Sequence, residues 1–166
     1  MTLTKNTVMS PLNEYAAQSG KFEPVWTLEI QTLPEETDRI LDAVMAVHKL
    51  SYGRYQRNAS VSAVGKETAQ PEPGSTTTTH VEGFEAGETE TYPMVELKIS
   101  IERDAETLAK VMDAVVGAHH YEEPVIFLRE DWASRAAYST DNTNPNRWWN
   151  NGRGLPDKVP LVEIKT

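Results

Sequence analysis

The stretches ILDAVMAVHKL (Ile40–Leu50) and VMDAVVGAHHY (Val111–Tyr121) are one pattern written twice. Asp42-Ala43-Val44 lies over Asp113-Ala114-Val115, and His48 lies over His119. Apolar residues recur at three- and four-residue intervals: Ile40, Val44 and Val47 beside Leu41 and Met45 in the first copy, and Val111, Met112 and Val115 in the second, with Leu108 one turn ahead of it. Such spacing lays one apolar stripe along a helix. Pro34, Glu35 and Glu36 precede the first copy, where proline fits a helix start and carboxylates meet the positive end of the macrodipole.

Upstream of each helix stands an alternating segment, VWTLEIQTL (25–33) and YPMVELKISI (92–101). Leu28 aligns over Leu97 and Ile30 over Ile99 once the turn into the helix is allowed two extra residues. Period-two alternation describes a strand with one buried face. PVIFL (124–128) reads as a short apolar strand, and SYGRYQRNASVSAV (51–64) resumes an extended pattern. A duplicated strand-helix-strand unit in a chain of 166 residues predicts an α+β fold, the ferredoxin-like split β-α-β sandwich, with two helices on one face of an antiparallel sheet. The length suits a single domain with a proper core.

Residues 65–91 are rich in Gly, Pro, Thr and Glu and predict a long loop carrying a short strand or hairpin around Thr76 to Val81. The chain thus divides into an N-terminal arm (1–24), a core domain (25–132) and a Trp-rich C-terminal tail (133–166). Trp148 and Trp149 predict that the tail packs on its own domain, a neighbouring subunit or another protein, and VPLVEI (Val159–Ile164) is suited to an edge strand. An alternating sheet with an open face and free edges also predicts a homo-oligomer.

A net charge of -9 argues against nucleic acid or an anionic membrane as the main partner. Without cysteine there is no disulfide framework, thiolate nucleophile or Cys-ligated metal. No run approaches the roughly 20 apolar residues that span a bilayer, and the start lacks a signal-peptide pattern, so the expectation is a soluble, cytoplasmic protein. Gly-x-Ser-x-Gly, His-Glu-x-x-His and Gly-rich phosphate motifs are missing from the sequence.

Chemistry concentrates in AHHYEEP (Ala118–Pro124). His119, His120, Glu122 and Glu123 are candidate acid/base groups, and His119, His120 and Glu122 are candidate ligands for a divalent metal. In an extended segment neighbours point to opposite sides, so at most His119 with Tyr121, or His120 with Glu122, share one. The competing reading is a helix end. His48 holds the same place in a copy without the Glu-Glu pair, and an imidazole suits the negative end of a helix. Pro124 keeps Glu123 out of helical geometry. Tyr52, Arg54, Tyr55 and Arg57 form an aromatic and basic cluster for a carboxylate, phosphate or planar ligand at a subunit cleft, or alternatively a strand with Arg outward and Tyr inward. His80, within a Thr run, reads as a loop residue.

GRYQRNAS after the first helix, the Thr- and Glu-rich loop, the strand VELKISI and then AHHYEEP together resemble the small domain inserted into NGG-interacting-factor-three-like proteins, over about Val25 to Trp132. That resemblance implies the fold of the trimeric CutA cation-tolerance and PII signalling proteins. His120 departs from the signature, which has proline there, and Ala59 stands where the family commonly has cysteine. The flanking halves that carry the family's dinuclear metal site are absent from this sequence. The expectation is therefore a small oligomeric accessory or regulatory subunit, trimeric, that completes or stabilises a partner enzyme. A metal-dependent hydrolase is favoured, with any divalent metal more readily placed on the partner. The alternatives are a metal- or ligand-sensing homotrimer and a stand-alone acid/base enzyme.

Overall fold

The structure, a computed structural model, describes residues 17 and 20–136. The expectations for residues 1–16 and 137–166, including the packing of Trp148 and Trp149, lie outside the described residues. Strand β1 (Gly20–Thr32) leads through a 3-10 turn at Pro34–Glu36 into helix α1 (Thr37–Val47). Short strands β2 (Ala59–Val61) and β3 (Gly65–Ala69), helix α2 (Thr76–His80) and long strand β4 (Glu90–Glu102) follow. Helix α3 (Ala105–Ala118) and strand β5 (Ile126–Ala136) complete the chain order. The sheet is antiparallel with order β2-β4-β1-β5, and β3 continues the edge beside β4. With both long helices packed on one face of it, this is the split β-α-β sandwich that the duplication predicts.

Register makes the core. Leu28 pairs with Ile99 and Leu128, and Ile30 pairs with Leu97 and Ile126, so one pleat face carries a continuous apolar layer. Ile40, Leu41 and Val44 of α1 and Val111 and Val115 of α3 close over it, all buried. Each helix also has a local cause. Thr37 Oγ1 donates to Pro34 O at 2.9 Å in the turn before α1. Asp104 accepts the Thr107 N–H at 2.7 Å as the α3 cap, and that amide and the Thr107 hydroxyl hold its carboxyl below the usual range.

Several features differ from the sequence reading. β1 begins at Gly20 and β5 runs to Ala136, because Gly20–Pro24 and Trp132–Ala136 pair with each other beyond the apolar core. The 51–64 segment is not continuously extended. Tyr52 and Tyr55 exchange hydrogen bonds of 2.7 and 3.1 Å across a tight turn, in which Gly53 adopts φ 62°. The loop contains strand β3 at 65–69, and Thr76–His80 is helical where a strand or hairpin was expected. There Ser75 caps the turn by accepting the Thr78 N–H, and Thr79 Oγ1 returns to Ser75 O at 2.8 Å. These local hydroxyl bonds outweigh the strand preference of a threonine run that has no neighbouring strand.

Between β2 and β3 the edge strand holds one residue more than β4, since the register passes from Val61–Leu97 to Gly65–Met94. Ser62 bridges this bulge: its N–H donates to Glu96 O at 3.0 Å and its hydroxyl accepts the Glu96 N–H at 2.9 Å. The face away from the helices carries charge rather than an apolar layer. Glu29, 6% exposed, lies between Lys98 at 2.9 Å and Arg129 at 2.5 Å.

Candidate functional site

His48 and His119 occupy equivalent places, each the first extended residue after its helix. In both, Nδ1 accepts the backbone N–H two residues ahead: Leu50 for His48 and Tyr121 for His119, each at 3.0 Å. An imidazole nitrogen that accepts an N–H carries no proton, so Nε2 is the protonated nitrogen in both rings. His48 Nε2–H then points to Glu102 at 2.9 Å, and His119 Nε2–H donates to Gln31 O at 2.8 Å. The Gln31 N–H meanwhile donates to Val125 O at 3.0 Å, so His119 helps close the last rung between β1 and the approach to β5. The helix-end reading of these histidines takes this form: a neutral ring that caps the exit turn rather than a cation on the dipole.

This arrangement bears on metal chemistry. A metal-bound histidine needs a free nitrogen lone pair, and His119 offers none here because Nδ1 accepts and Nε2 donates. Among the described residues no three His, Cys, Asp or Glu side chains converge as ligands would. His120 and Glu123 are exposed and make no side-chain hydrogen bond among the described residues. His119 and His120 are therefore not brought together on one ligand.

Tyr121 and Glu122 reach the other way, to the long loop. The Tyr121 ring meets His119 edge-on at 4.9 Å, and its hydroxyl donates to Glu67 on β3. Burial first, then the Glu67 carboxylate, raises the Tyr121 pKa strongly. Glu122 accepts both the hydroxyl and the backbone N–H of Thr76, at 2.6 and 2.9 Å. Those two bonds, hydroxyl first, hold its carboxyl below the usual range. The signature is thus a clip: His119 grips β1, Tyr121 grips β3, and Glu122 grips the first turn of α2. At the neck of the loop, the Gln70 side chain donates to Gly87 O and Gly87 N–H donates to Pro71 O at 2.9 Å.

The Tyr/Arg cluster is dispersed. Arg57 reaches Asp38 at 2.8 Å and Asp42, both on α1. Tyr52 hydrogen-bonds Ser134 at 2.9 Å beneath the Arg135 guanidinium, 4.4 Å from the ring. Arg54 sits in the turn, and Tyr55 is 75% exposed. His80 closes α2, with Nδ1 3.3 Å from Thr76 O. Glu67 and Thr76 escaped the sequence reading because nothing in GKETA or STTTT marks one residue above its neighbours. Ser62 was equally silent.

The Glu122 clip yields a measurable expectation. In Glu122→Ala the amides of Thr76–His80 should exchange about tenfold faster, while those of β1 and β4 hold their rates. The carboxyl is lowered from 4.5 in the folded chain, so its contribution is present above that value and is lost as pH falls through the lowered one. Protection of α2, corrected for intrinsic exchange, should therefore drop in acid in the native chain and stay flat in the variant.

The topology defines a ferredoxin-like α+β sandwich. Among solved structures, the chain is similar to a Bacillus cereus protein related to NIF3, with 20% identity over 70% of this chain and 28% of that one at a TM-score of 0.52. The chain thus spans little more than a quarter of that protein, and the likeness concerns the fold. CutA from Archaeoglobus fulgidus, described as a periplasmic divalent cation tolerance protein, is 19% identical over 63% of this chain and 81% of its own, TM-score 0.42. B. subtilis GlnK is 13% identical over 66% and 86%, TM-score 0.41. No family model and no curated protein matches the sequence. Among the described residues no helix is long and apolar enough to cross a membrane.

Proposed function

We propose that this chain is a small homo-oligomeric regulatory or accessory module that engages a partner enzyme through the loop 65–91, and that it does not perform chemistry by itself. The supporting observation is what the signature side chains do. Tyr121 and Glu122 hold that loop against the body, and His119, one of the candidate acid/base groups, is bonded to β1 beside them, which leaves only His120 and Glu123 of those candidates unbonded at the surface among the described residues. Long loops held on a rigid scaffold are where recognition resides. A metal-dependent hydrolase is the favoured partner, by analogy of fold alone. Tagged protein recovered from its own cells should carry a stoichiometric companion, and replacing residues 71–86 by a short Gly-Ser linker should release it. Recovery as a homo-oligomer with no companion overturns this reading.

A sensing homo-oligomer is the second reading, favoured by a shallow cavity of about 420 Å³ on the face away from the helices. Its lining includes Lys98, Asp131 and Trp132, a cation, an anion and a ring suited to a small polar ligand once a second copy covers that face. Thermal-shift titration with divalent cations and small anions separates the two readings, since only a sensor is stabilised by ligand alone.

A further inference from the structure

The two edges of the sheet are built differently. On one side β2 and β3 are short and separated by a bulge, which guards that edge against a further strand. On the other, β5 runs over Ile126–Ala136 without proline and pairs with β1 alone among the described residues. The Gln31–Val125 bond fixes the phase of its backbone groups. Odd-numbered residues of β5 turn their N–H and C=O toward β1, so Leu128, Glu130 and Trp132 turn theirs outward. Arg135 donates to the outward carbonyl of Ser134 at 2.9 Å and closes the edge beyond Trp132. Phe127 and Leu128 lie on opposite faces of the strand and are 53% and 49% exposed, so no layer overhangs the edge on either side.

We propose that a second copy of this chain occupies this edge, β5 against β5, antiparallel about a two-fold axis that passes beside Glu130. In that register Arg129 of each copy faces Asp131 of the other, Phe127 faces Ala133, and Leu128 faces Trp132. Facing residues of antiparallel strands share one side of the sheet, so the two helix layers stand on the same side of a continuous sheet. Arg129 bonds Glu29 through one nitrogen at 2.5 Å and keeps its side chain 60% exposed, which leaves donors for a second carboxylate. Asp131 is exposed and makes no side-chain hydrogen bond among the described residues. Only Glu130 meets its own kind, and Arg103 of the same copy offsets its charge at 3.1 Å. Sliding the copies by two residues sets Arg129 against Arg129 in one direction and Asp131 against Asp131 in the other, and like charges directly opposite are destabilising. This charge complementarity selects a second copy of β5, in one register, over an unrelated strand.

Sedimentation of the purified full chain should show an even number of subunits. In the associated chain the amides of Leu128, Glu130 and Trp132 should be protected from exchange, and they should lose about a hundredfold of that protection in the monomer, while Phe127 and Arg129 hold their rates. Asp131→Lys sets cations opposite Arg129 on both sides of the axis and should weaken self-association by about a hundredfold. Glu130→Cys removes the one like-charge pair and brings two thiols together, with Cα atoms about 5.5 Å apart, within disulfide reach. The sequence holds no other cysteine. Mild oxidation should therefore give a covalent dimer, whereas Glu106→Cys on α3, a side chain 77% exposed, should give none. Unchanged association in Asp131→Lys overturns the proposal, as does a missing disulfide at position 130. Protection of Leu128 and Glu130 that remains in the monomer, reached by dilution or by Asp131→Lys, also overturns it, because the occupant would then belong to the same molecule. The contact rests on the homo-oligomeric part of the proposed function: an odd-numbered oligomer, or one without the disulfide, defeats the edge alone, and a monomeric chain defeats both.

Discussion

Leu28→Ala is expected to lower the stability of the chain by about 3 kcal/mol, read as a shift in the midpoint of chemical denaturation at unchanged slope. Leu28 is fully buried on the central strand, flanked in register by Ile99 on β4 and Leu128 on β5. Val44 and Val115 belong to the buried cluster above it. Removing three carbons there leaves a cavity that two helices and two neighbouring strands cannot all collapse to fill. Leu128→Ala is the internal control. It lies in the same cross-strand row but is 49% exposed on the outer strand, so the same truncation should cost about 1 kcal/mol or less. Similar losses at the two positions would mean that the sheet is not layered in the order β2-β4-β1-β5.

The elements that Leu28 tests were legible because each is a periodic signal summed over many residues. The repeat of Asp-Ala-Val and His, with the paired alternations at Leu28/Ile30 and Leu97/Ile99, specifies two helices on one sheet face without reference to any loop. Legibility failed where a single side chain decides the outcome. Ser75 and the hydroxyl of Thr79 turn a threonine run into a helical turn, and Ser62 absorbs a one-residue register change. The candidate site was legible as a location and not as a geometry. AHHYEEP marks the junction, but which way His119, Tyr121 and Glu122 point depends on β1, β3 and α2 arriving there from far away in the chain. Composition gave no warning of Glu29 either, a buried carboxylate that Lys98 and Arg129 make tolerable. Arg54, Tyr55 and Arg57 look like one cluster in sequence, yet a tight turn and a positive φ of 55° at Arg57 turn Arg57 toward α1.

His119→Ala should cost about 2 kcal/mol and loosen the loop at the same time, a combination that separates the clip from a helix cap alone. The deletion leaves the Tyr121 N–H and the Gln31 carbonyl without their partners at 3.0 and 2.8 Å. It also removes the ring against which Tyr121 packs. Tyr121 in turn holds Glu67, so disorder introduced at His119 should travel to β3, and amide exchange at Lys66–Thr68 should quicken along with that at the α3–β5 junction. His48→Ala provides the comparison within the same fold. It removes the same bond to the residue two ahead, at Leu50, but its Nε2 partner is Glu102, whose side chain is 60% exposed and can turn to water. The smaller loss expected there, about 1 kcal/mol, should leave β3 exchange unchanged. If His119→Ala costs no more than His48→Ala and β3 stays protected, the signature histidine is only a helix stop. In that case the loop is held by Glu122 and the neck at Gly87 without it.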